Sequence, residues 1–398
     1  MYFDMEKVKV NGKYLQLLGD FIIKEEVCNL SCDYCLSEGA KLKDKHSFER
    51  IDGKLNYRLD MLGELIYQEG SSLKQEVDRG LKIYYDNFDS PILKLSGGEV
   101  FLIRNFVELL RNQADKYEVI QVLTNGTLLD EEIIKELQSV PNVNIQFSLD
   151  GHSLSMNYNR VKSEEMNKRL LRNFDRLVQA GIPTEAYAVV SRQNIDHLPA
   201  FTEYLLDKYG SKIHFTFFPV RQGAAQKFLP SPDELQGLET LMSKYEEYKS
   251  ILPPYQYIEE MHDYMKTGKR KSRCYVPLIM FQNFDDGIAT PCPNCWTVNI
   301  GNLLEKPETV AGRIGQDSIY NLMTNSPPIA PFCIKCFADY HLFNLYFNDV
   351  VSLEELSRTR PLLQGPKVQK RLTELKDIFV THLQGVEDLK RFKKNMLV

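Results

Sequence analysis

Cys28, Cys32 and Cys35 constrain this chain more than any other feature. They fall in Val27-Cys28-Asn29-Leu30-Ser31-Cys32-Asp33-Tyr34-Cys35, spaced C-x3-C-x2-C. Three thiolates this close grip three corners of one soft inorganic centre and leave the fourth open. A 4Fe–4S cluster takes four thiolates, so a cluster held by three has one iron free for another ligand. A disulfide cannot use three cysteines. A tetrahedral zinc site needs a fourth ligand, and the nearest histidine downstream is His46. The spacing favours the open cluster and leaves zinc as the rival. Phe21-Ile22-Ile23 is a short apolar β-type run ahead of the first cysteine, which puts the triad on the loop after a strand. In an α/β barrel that end of the strand carries the chemistry.

Length and charge narrow the class further. A chain of 398 residues with 43% hydrophobic content suits two domains with a sizeable core. Charge is mixed with a net of −5, and no Lys/Arg block stands out, so no nucleic-acid partner is expected. Met1-Tyr2-Phe3-Asp4-Met5-Glu6 has neither the basic region nor the apolar core of a secretory signal. No apolar run reaches the ~18–20 residues of a membrane span, so no membrane partner is expected and a cytoplasmic location is. Eight cysteines in such a chain argue for metal or redox work over disulfides.

The order of elements gives the fold. Residues 1–20 read as a β-type lead-in with a turn at Asn11-Gly12. A helical pattern runs through Leu59, Leu62, Leu65 and Ile66 and on to Val77, Leu81 and Tyr84, after an insertion or lid expected around 38–55. Strands are expected at 92–95, 119–123, 143–149, 184–190 and 212–219, the last in the chain, with helices at 105–116, 130–137, 164–180 and 195–209 between them. With the strand before Cys28 this makes six β/α units, hence a parallel sheet with right-handed crossovers. The fold class is α/β: a partial (β/α)6 TIM-type barrel over 1–220, a helical bridge over 221–273 (helices at 233–249 and 255–267), a small cysteine-rich domain over 274–345 and C-terminal helices over 346–398. The last segment is expected to pack back on the barrel or cover its bottom.

The triad, with Tyr34 before its third cysteine, resembles that of the radical S-adenosylmethionine (SAM) superfamily. The resemblance implies a cluster on Cys28, Cys32 and Cys35 with SAM chelated at the open iron. It also implies one-electron cleavage of SAM to a 5′-deoxyadenosyl radical, and an external electron donor such as flavodoxin or ferredoxin. Ser96-Gly97-Gly98-Glu99, after the second strand, is similar to the family's Gly-Gly-Glu motif, which holds the SAM amino group. Paired glycines also let a ligand approach the backbone closely. Thr124-Asn125 and Ser148-Leu149-Asp150 end the next two strands. The resemblance makes them SAM contacts; helix capping by Asn125 or Asp150 is the plain alternative. Arg160 resembles the arginine that pairs with the SAM carboxylate, a task suited to a guanidinium. Val189, Val190 and Phe218 border the adenine or are strand core.

Cys274, Gly287 and Cys292 give C-x12-G-x4-C, and Cys333-Ile334-Lys335-Cys336 follows. This resembles the SPASM/twitch extension of radical SAM enzymes. No cysteine follows between 337 and 350, so the resemblance implies one auxiliary 4Fe–4S cluster on Cys274, Cys292, Cys333 and Cys336. Cys292-x2-Cys295 with Cys333-x2-Cys336 is also good zinc spacing. Cys295 is left over, as a spare ligand, a buried thiol or a catalytic hydrogen-atom donor. The expected substrate is a ribosomally made peptide, with a small molecule as the alternative. The short stretch before residue 21 leaves no room for a leader-binding domain, which weakens the peptide reading. A non-catalytic zinc or iron–sulfur protein is the third reading, opposed by the intact triad and Glu99.

Overall fold

The computed structural model describes residues 8–25, 27–35, 48–51, 54–57, 65–221 and 226–396. Six strands follow the expected alternation: β1 (Leu18–Ile23), β2 (Ile92–Gly97), β3 (Val119–Thr124), β4 (Val143–Ser148), β5 (Thr184–Val190) and β6 (Ile213–Pro219). Each pairs in parallel with the next, in sequence order. The crossovers carry α1 (Ser72–Asn87), α2 (Phe106–Gln113), α3 (Glu131–Leu137), α4 (Glu164–Gln179) and α5 (Leu198–Tyr209). Parallel strands covered on both faces are apolar along most of their length, and these are buried throughout or nearly so.

β6 is not the last strand. β7 (Met280–Phe284) pairs in parallel with the free edge of β1, and β8 (Ile288–Thr290) and β9 (Gly301–Asn302) continue antiparallel from it. One nine-stranded sheet, ordered β6-β5-β4-β3-β2-β1-β7-β8-β9, therefore joins the barrel to the cysteine-bearing C-terminal part. An edge that would otherwise present unpaired N–H and C=O groups is covered by the chain itself.

The first crossover helix starts later than its apolar pattern implies. Gly70 sits at φ +85° and Ser71 caps the helix, accepting from Lys74 N at 3.2 Å. Leu65 and Ile66 therefore lie outside α1, and Ile66 makes a lone parallel bridge to Arg104. The helix buries Leu73, Val77, Leu81 and Tyr84. Each such side chain contributes about 1.5–3 kcal/mol. Gly19 on β1 makes room for Tyr84, because a Cβ there would lie 2.7 Å from the tyrosine ring. The insertion expected at 38–55 falls outside the described residues, apart from the antiparallel pair Phe48–Ile51 and Lys54–Tyr57. The expected helix at 233–249 is two short ones, Gln236–Ser243 and Tyr245–Tyr248.

The C-terminal helix Pro366–Met396 closes the strand-start end of the barrel. Glu118, one residue before β3, accepts from Lys367 N (3.1 Å) and Val368 N (2.7 Å) at the helix N-terminus. Arg371 donates to Gln16 O at 2.8 Å and to Asp89 Oδ2 at 2.8 Å, where β1 and β2 begin.

Candidate active site

β1 ends at Ile23, and Lys24, at φ +48°, turns the chain into the cysteine loop. Lys24 Nζ lies 3.1 Å from Asp285, just past β7, so the C-terminal part helps to anchor this loop. Cys35 N donates to Cys32 O at 3.1 Å, the tight turn that a C-x2-C spacing makes.

The paired glycines first serve the chain's own backbone. A Cβ on Gly97 would lie 2.0 Å from Ile23 O, and one on Gly98 would lie 2.0 Å from Val27 O. Only glycine lets the end of β2 lie against the cysteine loop. Gly98 N and Glu99 N then donate to Lys24 O (3.3 Å) and Val27 O (2.8 Å). Glu99 itself is buried and ties β2 to β3. Its carboxylate accepts from Thr124 Oγ1 (2.7 Å), Asn125 N (2.7 Å) and Phe101 N (3.1 Å). Burial pushes its pKa up, and these donors oppose the rise.

Asn125 caps no helix; it holds the cysteine loop. Its Nδ2 donates to Asn29 Oδ1 (2.8 Å) and to Cys28 Sγ (3.7 Å), and its Oδ1 accepts from Thr127 N (2.9 Å). Asp150 likewise organises the site. It accepts from the Tyr34 hydroxyl, from Val189 N (2.9 Å) and from Arg160 Nη2 (3.1 Å). Tyr34, Asp150 and Arg160 thus lock the far side of the cysteine loop to β4 and β5. Burial pushes the Cys32 thiol up to about 12, with Arg160 pulling the other way.

A cavity of about 210 Å³ opens at these strand ends. Cys28, Cys32, Cys35, Gly97, Gly98 and Ser148 line one side. Tyr34, Thr124, Asn125 and Arg160 also border it, as do Tyr187, Val189, Phe218 and Arg221. Of the expected contacts, Glu99 and Asp150 sit behind the lining. Val190 faces away, as strand alternation requires after Val189.

Beneath the cavity lies a feature missed in the sequence. Polar side chains run across the strands in register: Gln282, Asp20, Lys94, Gln121 and Asn144 are successive pairing partners from β7 to β4. Gln146, Glu185 and His214 continue the row two residues further along β4 and across β5 and β6. All are buried. Arg360 reaches into this layer from the C-terminal part, 2.9 Å from Glu185 and 3.3 Å from Asp339. Lys94 Nζ donates to Tyr340 Oη at 2.7 Å. Burial draws the Lys94 amine below its usual range, opposed by Asp20. The signal available in sequence was period two: polar residues at alternate positions inside otherwise apolar strands, as in Asn144, Gln146 and Ser148 of β4 or His214 and Thr216 of β6.

The second cysteine set comes together in space. Cys274, Cys292, Cys333 and Cys336 line one small cavity, and Cys295 is not part of its lining. Asn294 Nδ2 donates to Cys336 Sγ (3.2 Å) and Asn344 Nδ2 to Cys274 Sγ (3.5 Å). Cys295 is buried, and burial pushes its thiol up to about 11. Among the described residues, no three acidic, histidine or cysteine side chains come close enough to hold a single ion. Both cysteine sets are soft thiolate donors, the kind that iron–sulfur groups and zinc take. Two soft-thiolate donor sets, one of three and one of four, therefore fit iron–sulfur groups. Arg221 connects the two sites. It lines the cavity of the triad, and its Nη1 donates to Pro293 O, between Cys292 and Cys295, at 3.2 Å.

A partial parallel barrel with a three-thiol loop at its strand ends and a second cysteine site attached defines the class. Residues 22–205 match the model of the radical SAM superfamily. The match spans the barrel from the end of β1 into α5, just under half of the chain. Mycofactocin maturase MftC of Mycolicibacterium smegmatis is 26% identical over 190 residues, 48% of this chain and 41% of that protein. The chain thus matches less than half the length of that relative. Fe-coproporphyrin III synthase of Methanosarcina barkeri is 23% identical over 337 residues, 78% of each chain. Among solved structures, Streptococcus suis SuiB bound to S-adenosylmethionine superposes with a TM-score of 0.54 at 14% identity, covering 80% of this chain and 69% of that one. That last likeness is one of fold. No helix among the described residues is long and apolar enough to cross a membrane.

Proposed function

We propose that this chain is a radical SAM enzyme that modifies a peptide. The observation carrying the reading is the cavity at the strand ends, which gathers Cys28, Cys32 and Cys35 with Gly97, Gly98, Ser148 and Arg160. A 4Fe–4S cluster on the three cysteines, with SAM at its open iron, supplies one-electron cleavage of SAM and a radical that abstracts hydrogen from the substrate. The chain's own residues hold and shield that chemistry. Arg160 presents to the SAM carboxylate the donors that Asp150 leaves free. Ser148 adds a hydroxyl, while Thr124 and Asn125 border the ribose. Glu99 offers its carboxylate to the SAM amino group from behind the glycines. Val189, Tyr187 and Phe218 give an apolar wall that excludes water from a reactive carbon radical. Arg221 stands at the cavity with no carboxylate in ion-pair range among the described residues, which suits an anionic group on the substrate.

Cys274, Cys292, Cys333 and Cys336 would hold one auxiliary 4Fe–4S cluster, and the electron comes from an external donor such as flavodoxin or ferredoxin. The peptide reading draws support from the maturase relative. The synthase relative, matched along 78% of both chains, favours a small-molecule substrate as the second reading.

Anaerobic reconstitution with iron and sulfide, followed by SAM and dithionite, tests the class. The expected product is 5′-deoxyadenosine, absent from Cys28→Ala; none from the unaltered chain would sink the proposal. A peptide encoded by a short reading frame beside the gene should then change mass. Formation of iron coproporphyrin III from a porphyrin precursor, with every such peptide inert, would favour the second reading.

A further inference from the structure

Two cavities share one wall. The four-thiol cavity and a polar surface cavity of about 310 Å³ both border the buried Arg270. Arg270 is fixed there by its own N–H, 2.8 Å from Ile334 O, and by Nε, 3.3 Å from Cys333 O. Arg270, with Phe337 and Glu260 packed against His341, thus forms the wall between the surface cavity and the thiols.

The rim of that cavity is basic. Lys269-Arg270-Lys271-Ser272-Arg273 places four cations in five positions of a chain whose net charge is −5. The run is short, and it is the local concentration of charge that the folded loop brings to the surface. Lys269, Lys271 and Lys335 are exposed, and the Lys335 carbonyl is tied to Tyr264 Oη at 3.1 Å, beside the same loop. The two carboxylates on the rim are already engaged. Asp263 lies 2.5 Å from Lys271, and Glu260 accepts from Ser272 Oγ (3.0 Å) and lies 2.7 Å from His341 Nε2. Among the described residues no carboxylate lies within ion-pair range of Lys269 or Lys335, so the surface faces solvent with excess positive charge.

We propose that Lys269, Lys271 and Lys335 form the docking surface for a small acidic one-electron carrier protein, which delivers its electron past Arg270 to the second cysteine site. This rests on the cluster reading of Cys274, Cys292, Cys333 and Cys336. The carrier loses one electron and the site gains one, so no other reactant is consumed. Opposite charge across such a surface steers encounter and sets the on-rate more than the affinity.

The test is stopped-flow reduction of the reconstituted holoprotein by reduced flavodoxin, an acidic carrier, and separately by reduced methyl viologen. The second site is followed through the absorbance change that Cys333→Ala removes. In Lys269→Glu/Lys271→Glu/Lys335→Glu the second-order rate with flavodoxin should fall about tenfold or more at low ionic strength, and its salt dependence should flatten. The rate with methyl viologen, a small cation, should not fall. The corresponding triple Gln variant, with a gentler change of charge, should lie between. An unchanged flavodoxin rate in the Glu variant overturns the proposal, as does a fall shared equally by methyl viologen. Preparations holding only the triad's share of iron overturn the cluster reading itself, and the docking proposal with it.

Discussion

Replacing Arg360 with Met should destabilise the chain and loosen the second cysteine site. Arg360 heads the fully buried side chains by volume. Its guanidinium lies between Glu185 on β5 and Asp339, three residues past Cys336, and both carboxylates are fully buried. Methionine keeps most of the volume, so the cost is electrostatic. Glu185 would keep Gln146 Nε2 at 3.1 Å and the Thr216 hydroxyl as donors. Asp339 has less to fall back on: its Oδ1 lacks a hydrogen-bond partner, and beside Arg360 its carboxylate has the Tyr187 hydroxyl. Breaking a buried pair from one side costs about 3–5 kcal/mol, and Asp339 carries most of it here. Adding Asp339→Asn removes the stranded charge and should return about 2 kcal/mol of that loss. Urea unfolding of the three proteins measures both differences. Iron analysis should show Arg360→Met losing iron from the second site before the first. A loss below about 1 kcal/mol, or a double variant no more stable than the single, refutes the reasoning.

Gly98→Ala would put a Cβ 2.0 Å from Val27 O and push the cysteine loop off β2, so iron should be lost from the triad while the second site keeps its share, measured by iron content and the EPR response to SAM. His214 is held down to about 4 by burial first and then by Arg358 and Arg360. Its folded pKa lies below its unfolded one, so this contribution is complete above about pH 6.5 and lost as pH falls toward 4. Between pH 7 and 5 the unaltered chain should lose about 2 kcal/mol more than His214→Gln in urea titrations. Cys295→Ala should leave iron content and SAM cleavage unchanged, since its thiol lies outside the lining of both cysteine cavities. Loss of product alone would restore the hydrogen-donor role, and loss of iron would make Cys295 a ligand.

The six barrel strands and the triad's place were legible because each rests on local chemistry. Apolar β-type runs stop at Gly, Asn or Asp, and the triad follows the first of them. What escaped depends on contacts between distant segments. β7 reads as a modest apolar stretch in a turn-rich region, and only pairing with Leu18–Ile23, more than 250 residues earlier, makes it a barrel strand. The glycines of Gly97-Gly98 were visible, but the partner that demands them is the chain's own backbone at Ile23 and Val27. Arg360 lay in a segment with the look of plain helical capping, yet it reaches the barrel interior.

The polar row explains why such contacts exist. A strand buried on both faces gains most from Val, Ile and Leu, yet each strand of this barrel spends an inward position on Asp, Lys, Gln, Asn, Glu or His. Asp20 Oδ1, Gln121 Nε2, Gln146 Oε1 and Asp339 Oδ1 remain without hydrogen-bond partners. An unsatisfied buried polar group costs about 1–3 kcal/mol, so this layer works against stability and calls for ordered water or the polar part of a bound molecule. Ser148 and Tyr187, two residues above Gln146 and Glu185 on the same strand faces, line the cavity of the triad. Tyr340 and Asp339, which reach the layer from the other side, follow directly on Cys336. The polar layer thus lies between the strand-end residues that line the triad's cavity and the segment that follows the second cysteine pair.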